Sequence, residues 1–142
     1  MALHILKLSV GTDGVDDLRS WIAHRLAVTQ AATGKAEYWH TTRMIPKRRD
    51  ELLDGGSVYW VIKGEILCRQ RLTDIREVTG DHGVTRCRLV LDPQLIETRS
   101  APRRPFQGWR YLKPEDAPGD LGTSDPAISA DLERELAALG LL

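Results

Sequence analysis

The strongest constraint on the fold comes from two β-rich runs that flank a two-residue turn. The string SVYWVI is followed by Lys63-Gly64 and then by EILCRQRLTDI. Branched and aromatic side chains favour extended backbone, and a two-residue connection that ends in glycine is typical of a tight β-hairpin. Because successive side chains of a strand point to opposite faces, we expect Arg69 and Arg71 to share one face of the second strand.

The sequence around this hairpin predicts four further strands and three helices. The strands cover residues 2–10, 37–44, 85–91 and 94–99, and two helices cover residues 14–30 and 47–53. A last helix is predicted after Ser124 or Asp125, with Pro126 at its first position. A central block of short strands with helices mostly outside it indicates an α+β fold. We expect a small, mainly antiparallel β-barrel or a strongly curved sheet with flanking helices.

The chain length is that of one domain. With 142 residues, a second complete core would be difficult to build. Residues 1–113 are therefore predicted to form a single α+β domain. Residues 114–142 are predicted to form an acidic linker and a C-terminal helix that packs on that domain.

The net charge of zero conceals an uneven distribution of charged residues. Residues 35–113 carry sixteen Lys and Arg against ten Asp and Glu, whereas residues 114–142 carry one Arg against seven acidic residues. A basic body with an acidic tail indicates either an anionic partner or an internal neutralising contact. In the second case, residues 115–135 would fold back over the basic face and compete with the ligand.

Several classes of protein are excluded by what the sequence lacks. Cys68 and Cys87 lie in strand-like runs without any CxxC motif, and the four histidines have no metal-ligand spacing, so buried free thiols and no metal are expected. No P-loop, GxGxxG or GxSxG motif is present, and no cofactor is predicted. The first residues have the pattern of a strand rather than a signal peptide, and no apolar run could span a bilayer. We therefore predict a cytoplasmic protein without a membrane partner.

Four strings of residues resemble an uncharacterised bacterial family that is catalogued as domain of unknown function 1489. They are TTRMIPKR (41–48), DGGSVYWVIKGEILCRQRL (54–72), LVLDP (89–93) and RRPFQGWRYLKPEDAP (103–118). The resemblance covers nearly the whole chain. It implies family membership and no particular activity, since no function is known for the family.

The order of the elements is also similar to the PUA and ASCH group of small RNA-associated β-barrels. A Thr-Arg pair precedes a short helix, a Gly-rich turn, a strand and a hairpin that returns with basic residues. That resemblance implies a cleft on the barrel that receives RNA or a nucleotide.

Arginine and aromatic residues interleave throughout the basic middle of the chain. Guanidinium groups suit bidentate contacts with phosphate, and aromatic faces beside them suit the bases of single-stranded nucleic acid. We therefore predict a ligand-binding set that consists of Trp39, Arg43, Arg48, Arg69, Arg71, Arg104, Gln107, Trp109 and Arg110. The structural alternative is that about half of the arginines are solvated or salt-bridged, and that at least three of the seven Trp and Tyr residues belong to the core.

These residues favour a non-enzymatic module that binds RNA or a nucleotide-like anion in an Arg and aromatic cleft. One alternative is a small amidohydrolase-like enzyme acting on a modified nucleoside, which needs a Lys, a Thr and a Glu in one pocket. A second alternative is a protein-interaction module with an apolar patch on the last helix or on residues 106–112. The sequence leaves the catalytic residues and the oligomeric state open.

Overall fold

A computed structural model describes residues 3–80 and 82–121, and these residues form an α+β fold. The elements are, in chain order, β1 (His4–Leu8), α1 (Val15–Thr33), β2 (Tyr38–Thr42), α2 (Arg49–Leu53), β3 (Ser57–Ile62), β4 (Glu65–Thr79), β5 (Thr85–Leu91), β6 (Ile96–Pro102) and β7 (Trp109–Leu112). A 3-10 turn over Pro114–Asp116 follows. The helix predicted after Ser124 lies outside the described residues.

The predicted hairpin is confirmed at β3 and β4. Lys63 and Gly64 both have positive φ, at 50° and 84°, which is the backbone of a tight two-residue turn whose twist matches the flanking strands. Trp60 faces Cys68 across the ladder, and Ile62 faces Glu65. This pairing is the local framework onto which the other strands add.

The long strand β4 organises the sheet because it pairs with three other strands. Its first half lies between β3 and β6, and its second half pairs with β5. The main strand order is β2-β5-β4-β3-β1-β7, with β6 beside β4. Among the described strands, β1 and β3 form the parallel pair and the other pairs are antiparallel.

The sheet is open, which corrects the expectation of a β-barrel or a strongly curved sheet. Closure would require a ladder between the edge strands β2 and β7, and the described strands form none. The physical reason is that β2 ends at Thr42, where the chain turns away toward α2. Side-chain contacts with residues 43–48 take the place of strand pairing at that edge.

Two hydrophobic clusters stabilise the sheet. The larger one packs α1 against the sheet, where Leu18 and Ile22 meet Trp60 and Leu89. Burial of each such side chain contributes about 1.5–3 kcal/mol. The smaller cluster lies on the other face, where Phe106 packs against residues of β1, β3, β4 and β7.

The buried positions confirm two predictions. Cys68 and Cys87 are buried free thiols, and burial raises the pKa of Cys68 to about 12. Four of the seven Trp and Tyr residues are core residues, namely Tyr38, Tyr59, Trp60 and Trp109. At least three were expected.

A buried glutamine joins β3, β4 and the end of β5. The side chain of Gln70 is fully buried, accepts a hydrogen bond from Trp60 Nε1 at 2.9 Å and donates one to the carbonyl of Asp92 at 3.0 Å. Because both ends of the amide have partners, its burial does not leave an unsatisfied polar group.

Gly56 is a point at which the fold tolerates no side chain. A Cβ added there would overlap the backbone oxygens of Leu3 and Leu52. We expect Gly56→Ala to lower the free energy of unfolding by about 2–4 kcal/mol, because backbone rather than a flexible side chain must move. Urea unfolding measures this. The control Gly119→Ala, where a Cβ meets open space, should change stability by less than about 0.5 kcal/mol. Equal effects of the two substitutions would contradict the prediction.

Candidate anion-binding groove

The outer face of the paired strands β2 and β5 brings an aromatic residue of β2 beside a cation of β5. Trp39 and Thr41 lie opposite Val90 and Arg88 on β5, so all four side chains share the face that points away from the main core. The guanidinium of Arg88 lies 4.6 Å from the centre of the Trp39 ring. This stacking fixes the orientation of the cation without neutralising its charge.

Two adjoining clefts follow this edge of the sheet, and together we name them the basic groove. The first has a volume of about 360 Å³ and is lined by Lys7, Thr41, Thr42, Arg43, Met44, Arg86, Gly108 and Trp109. The second has a volume of about 350 Å³ and is lined by Thr41, Val78, Thr79, Gly80, His82, Val84, Arg86 and Arg88. Thr41 and Arg86 belong to both clefts. The groove therefore brings cations from β1, β5 and the end of β2 together.

The groove is electropositive. Among the described residues that line it, none is a carboxylate. Lys7, Arg43, Arg86 and Arg88 form no ion pair with a carboxylate of residues 3–80 or 82–121. Cations that lie close together without counter-charge repel one another, and a bound anion relieves that repulsion.

The neighbouring part of the same sheet face is neutralised. Arg76 forms ion pairs with Glu37 at 2.8 Å and with Asp74 at 2.9 Å. Asp74 also pairs with Arg49 at 2.8 Å. Excess positive charge on this face is therefore concentrated in the groove.

Lys7 is a partly buried cation of the groove. It is half-buried on the apolar strand β1, and this burial lowers the pKa of its ammonium group. Desolvation of a charge costs free energy that a bound anion would offset. Lys7 is thus a cation for which the fold supplies little compensation within the described residues.

Residues 43–48, which carry Arg43, are held in place by two aromatic residues of β7. Trp109 Nε1 donates a hydrogen bond to the carbonyl of Met44 at 2.9 Å. Tyr111 Oη accepts hydrogen bonds from the backbone N–H groups of Lys47 and Arg48, at 3.1 and 3.3 Å. Arg43 therefore projects from a segment whose backbone is fixed.

Three of the nine predicted binding residues lie at the groove. Trp39 supports Arg88, Arg43 lines the first cleft, and Trp109 forms its floor with a ring that is buried. Trp109 is thus a positioning residue of the core rather than an exposed stacking platform. Its neighbour Gly108 has a φ of 70°, which favours glycine at this turn.

Two other predicted arginines are held by carboxylates outside the groove. Arg69 forms a bidentate pair with Asp120, both contacts measuring 2.8 Å, and also donates to Ser57. Arg48 pairs with Glu51 and lies over the Tyr111 ring. Asp120 could not be assigned to Arg69 from the sequence because 51 residues separate them.

The remaining four predicted residues are exposed but line neither cleft of the groove. Arg71 lies near the middle of β4, opposite Ser57. Arg104 and Gln107 belong to the stretch before β7, and Arg110 alternates with Trp109 so that its guanidinium lies over Phe106. The structure therefore does not gather the nine residues into one hollow, because strand alternation and strand order separate them.

The predicted set lacks three cations that line the groove, namely Lys7, Arg86 and Arg88. Arg86 and Arg88 alternate with Cys87 and Leu89 in the sequence, and that alternation places both on one outer face. Lys7 interrupts an apolar strand, which is the signal that could have marked it. No local pattern indicates that β1 and β5 approach the same cleft.

The geometry defines a class of protein: an open, mixed-sheet α+β domain with an electropositive groove at one sheet edge. The chain belongs to the family described as Protein of unknown function (DUF1489), whose family model matches residues 5–142. No curated protein and no solved structure matches the chain.

Neither of the helices in the described part of the chain has the length and apolar character needed to cross a bilayer. Residues 3–80 and 82–121 contain no cluster of three metal-ligating side chains.

The ion pair between Arg69 and Asp120 is predicted to stabilise the fold. We expect Asp120→Asn to lower the free energy of unfolding by about 1–3 kcal/mol, because a half-buried guanidinium loses a charge-assisted bidentate partner. The control Asp16→Asn removes a highly exposed partner of Arg19 and should cost less than about 1 kcal/mol. Chemical denaturation measures both. Similar values for the two variants would show that the pair contributes little.

His40 generates a prediction about pH. Burial lowers the pKa of His40 to about 4, with a smaller contribution from Lys7, and its ring lies edge-on to Trp60 at 5.3 Å. As the pH falls, His40 is protonated in the unfolded chain at a higher pH than in the folded chain. Protonation therefore favours the unfolded state, and the free energy of unfolding should decline by about 3 kcal/mol between pH of about 6.5 and about 4.

The variant His40→Gln should lose most of this decline, while His4, whose pKa burial also lowers, keeps its own share. Urea unfolding at a series of pH values measures the difference. An unchanged pH profile in the variant would show that folding does not lower the pKa of His40.

Proposed function

We propose that this chain is a non-enzymatic module that binds RNA, or a nucleotide-like anion, in the basic groove. The observation that carries the proposal is the convergence of Lys7, Arg43, Arg86 and Arg88 on two adjoining clefts that no described carboxylate lines. This convergence involves residues that differ in part from those predicted from the sequence.

The chemistry of the groove suits phosphate. Each guanidinium presents a planar fork of donors that matches two phosphate oxygens, and Lys7 adds a desolvated point charge. Thr41, which lines both clefts, supplies a hydroxyl at the junction. These groups recognise a backbone rather than a sequence, so binding through them alone should show little base preference.

The extended shape favours a chain of phosphates over a single small anion. The groove runs from Lys7 on β1 past Arg43 and Arg86 to Arg88, so successive cations can meet successive phosphates. Arg88 stacked on Trp39 also offers a planar surface for a base. The PUA and ASCH resemblance implies the same ligand class and stays a prediction.

The hydrolase alternative receives less support from the geometry. It needs a Lys, a Thr and a Glu in one pocket, but Glu51 pairs with Arg48 and Lys63 pairs with Asp13. Neither cleft of the groove has a described glutamate in its lining.

The protein-interaction alternative is likewise weaker in the described residues. Within 106–112, Phe106 and Leu112 pack into the smaller core cluster, and Trp109 into the larger one. The segment therefore presents little apolar surface. The last helix, the other place predicted for such a patch, lies outside the described residues.

The test is a titration of fluorescently labelled single-stranded RNA against the chain at several salt concentrations, followed by anisotropy. The logarithm of the affinity should fall linearly with the logarithm of the salt concentration. Arg43→Ala and Arg86→Ala should each weaken binding and reduce the slope of that line by about one unit, since each removes about one phosphate contact.

The matched control is Arg71→Ala, which removes the same charge from an exposed position that lines neither cleft. It should leave the slope unchanged. If all three variants weaken binding equally, net charge rather than the groove attracts RNA. If the wild-type chain binds no RNA at low salt, the proposal is wrong.

A further inference from the structure

A third cleft adjoins the basic groove on the side of α1, and we name it the α1 cleft. It has a volume of about 360 Å³ and lies between the start of α1 and the ends of β1 and β2. Its lining includes Trp21 and Leu18 of α1, Lys7 and the following residues to Thr12, and Tyr38, His40 and Trp60. Its volume is at the lower end of the range for small-ligand sites, about 300–1,000 Å³.

Three aromatic residues give the α1 cleft a wall suited to a flat ring. Trp60 and Tyr38 are buried and fixed by the core, whereas Trp21 is 50% exposed at the rim. An indole that is half exposed on a surface helix leaves apolar area in water, and a stacked heterocycle would cover it. Trp21 is the wall residue at the rim, where the guanidinium of Arg25 lies 5.9 Å from the centre of its ring.

The polar groups of the α1 cleft can form hydrogen bonds with the edge of such a ring. Burial keeps His40 neutral near pH 7, because the pKa of its imidazole is about 4. A neutral imidazole offers one N–H donor and one acceptor nitrogen. Lys7 adds an ammonium donor, and Asp17 is the carboxylate among the described lining residues.

The α1 cleft and the basic groove are continuous through one side chain. Lys7 lines both the α1 cleft and the first cleft of the groove. His40 and Thr41 are successive residues of β2, so their side chains point to opposite faces of the sheet. His40 lines the α1 cleft and Thr41 lines the basic groove. A ligand with a phosphate in the groove can therefore place its attached ring in the α1 cleft.

We propose that the α1 cleft receives an unpaired nucleobase of the RNA whose phosphates lie in the basic groove. The ligand class is thus single-stranded RNA with a splayed base, or a strand end, rather than a continuous duplex. Trp21 stacks on the base, His40 binds its edge, and Lys7 lies between the base and its phosphate. This inference rests on the proposed function of the groove.

The test compares two fluorescein-labelled octamers: octauridylate and an octamer of abasic ribose phosphate, which has the same charge and no bases. Trp21→Ala should weaken octauridylate binding about tenfold, because it removes one stacking surface, and should change abasic binding less than about twofold. The control Val28→Ala truncates an exposed residue of the same helix outside the cleft. It should leave both affinities unchanged.

Crosslinking provides a readout that needs no variant. An oligouridylate that contains 4-thiouridine is irradiated on the wild-type chain and the protein is digested with trypsin. A crosslink on the peptide of residues 20–25, which contains Trp21, is the expected result. Crosslinks confined to Trp39, with none on Trp21, Tyr38 or His40 of the α1 cleft, would place the bases on the outer face of β2 and overturn the inference.

The outcomes separate this inference from the proposed function. Loss of affinity for both octamers in Trp21→Ala, or for neither, overturns the nucleobase cleft while salt-dependent RNA binding still supports the groove. Absence of binding to either octamer by the wild-type chain overturns both proposals. Uridine monophosphate is added as a competitor: competition at micromolar concentration identifies a free nucleotide as the ligand, and failure to compete identifies the RNA chain.

Discussion

The groove depends on the docking of residues 43–48 against β7. This segment follows the edge strand β2 and has no ladder partner of its own, so the indole of Trp109 and the hydroxyl of Tyr111 determine its position. The two rings also contact each other edge to face, at 4.8 Å. These interactions join the two edges of an open sheet without strand pairing. They place the side chain of Arg43 beside Lys7, which comes from the other end of the strand order.

One face of the sheet has a part in which the arginine is paired with carboxylates and a part in which the arginines are not. Around Arg76, the carboxylate of Glu37, just before β2, and that of Asp74 on β4 neutralise the arginine and add stability through a network. A few residues away, Arg86 and Arg88 have no such partners in the described part of the chain. Unpaired cations on a folded surface lower stability through repulsion, and the anion that we propose as the ligand would offset that cost.

Local patterns were sufficient for most of the fold but for only part of the site. The hairpin at Lys63-Gly64, the buried thiols and the shared face of Trp39 and Thr41 all follow from alternation and turn chemistry. The open sheet could not be predicted, because closure depends on whether two distant edge strands meet. The same limit applies to Lys7, whose place at the groove depends on long-range pairing of β1. It also explains the misplacement of Arg69, since its partner is distant in sequence.

The position of β1 has a consequence for synthesis on the ribosome. This strand emerges before both of its neighbours in the sheet, which are β3, at residues 57–62, and β7, at residues 109–112. An apolar strand with both backbone edges unpaired is a template for wrong association. The nascent chain must therefore shield its first strand until almost the whole sheet has been made. A chaperone that binds short apolar segments would be expected to act on the amino-terminal residues during that interval.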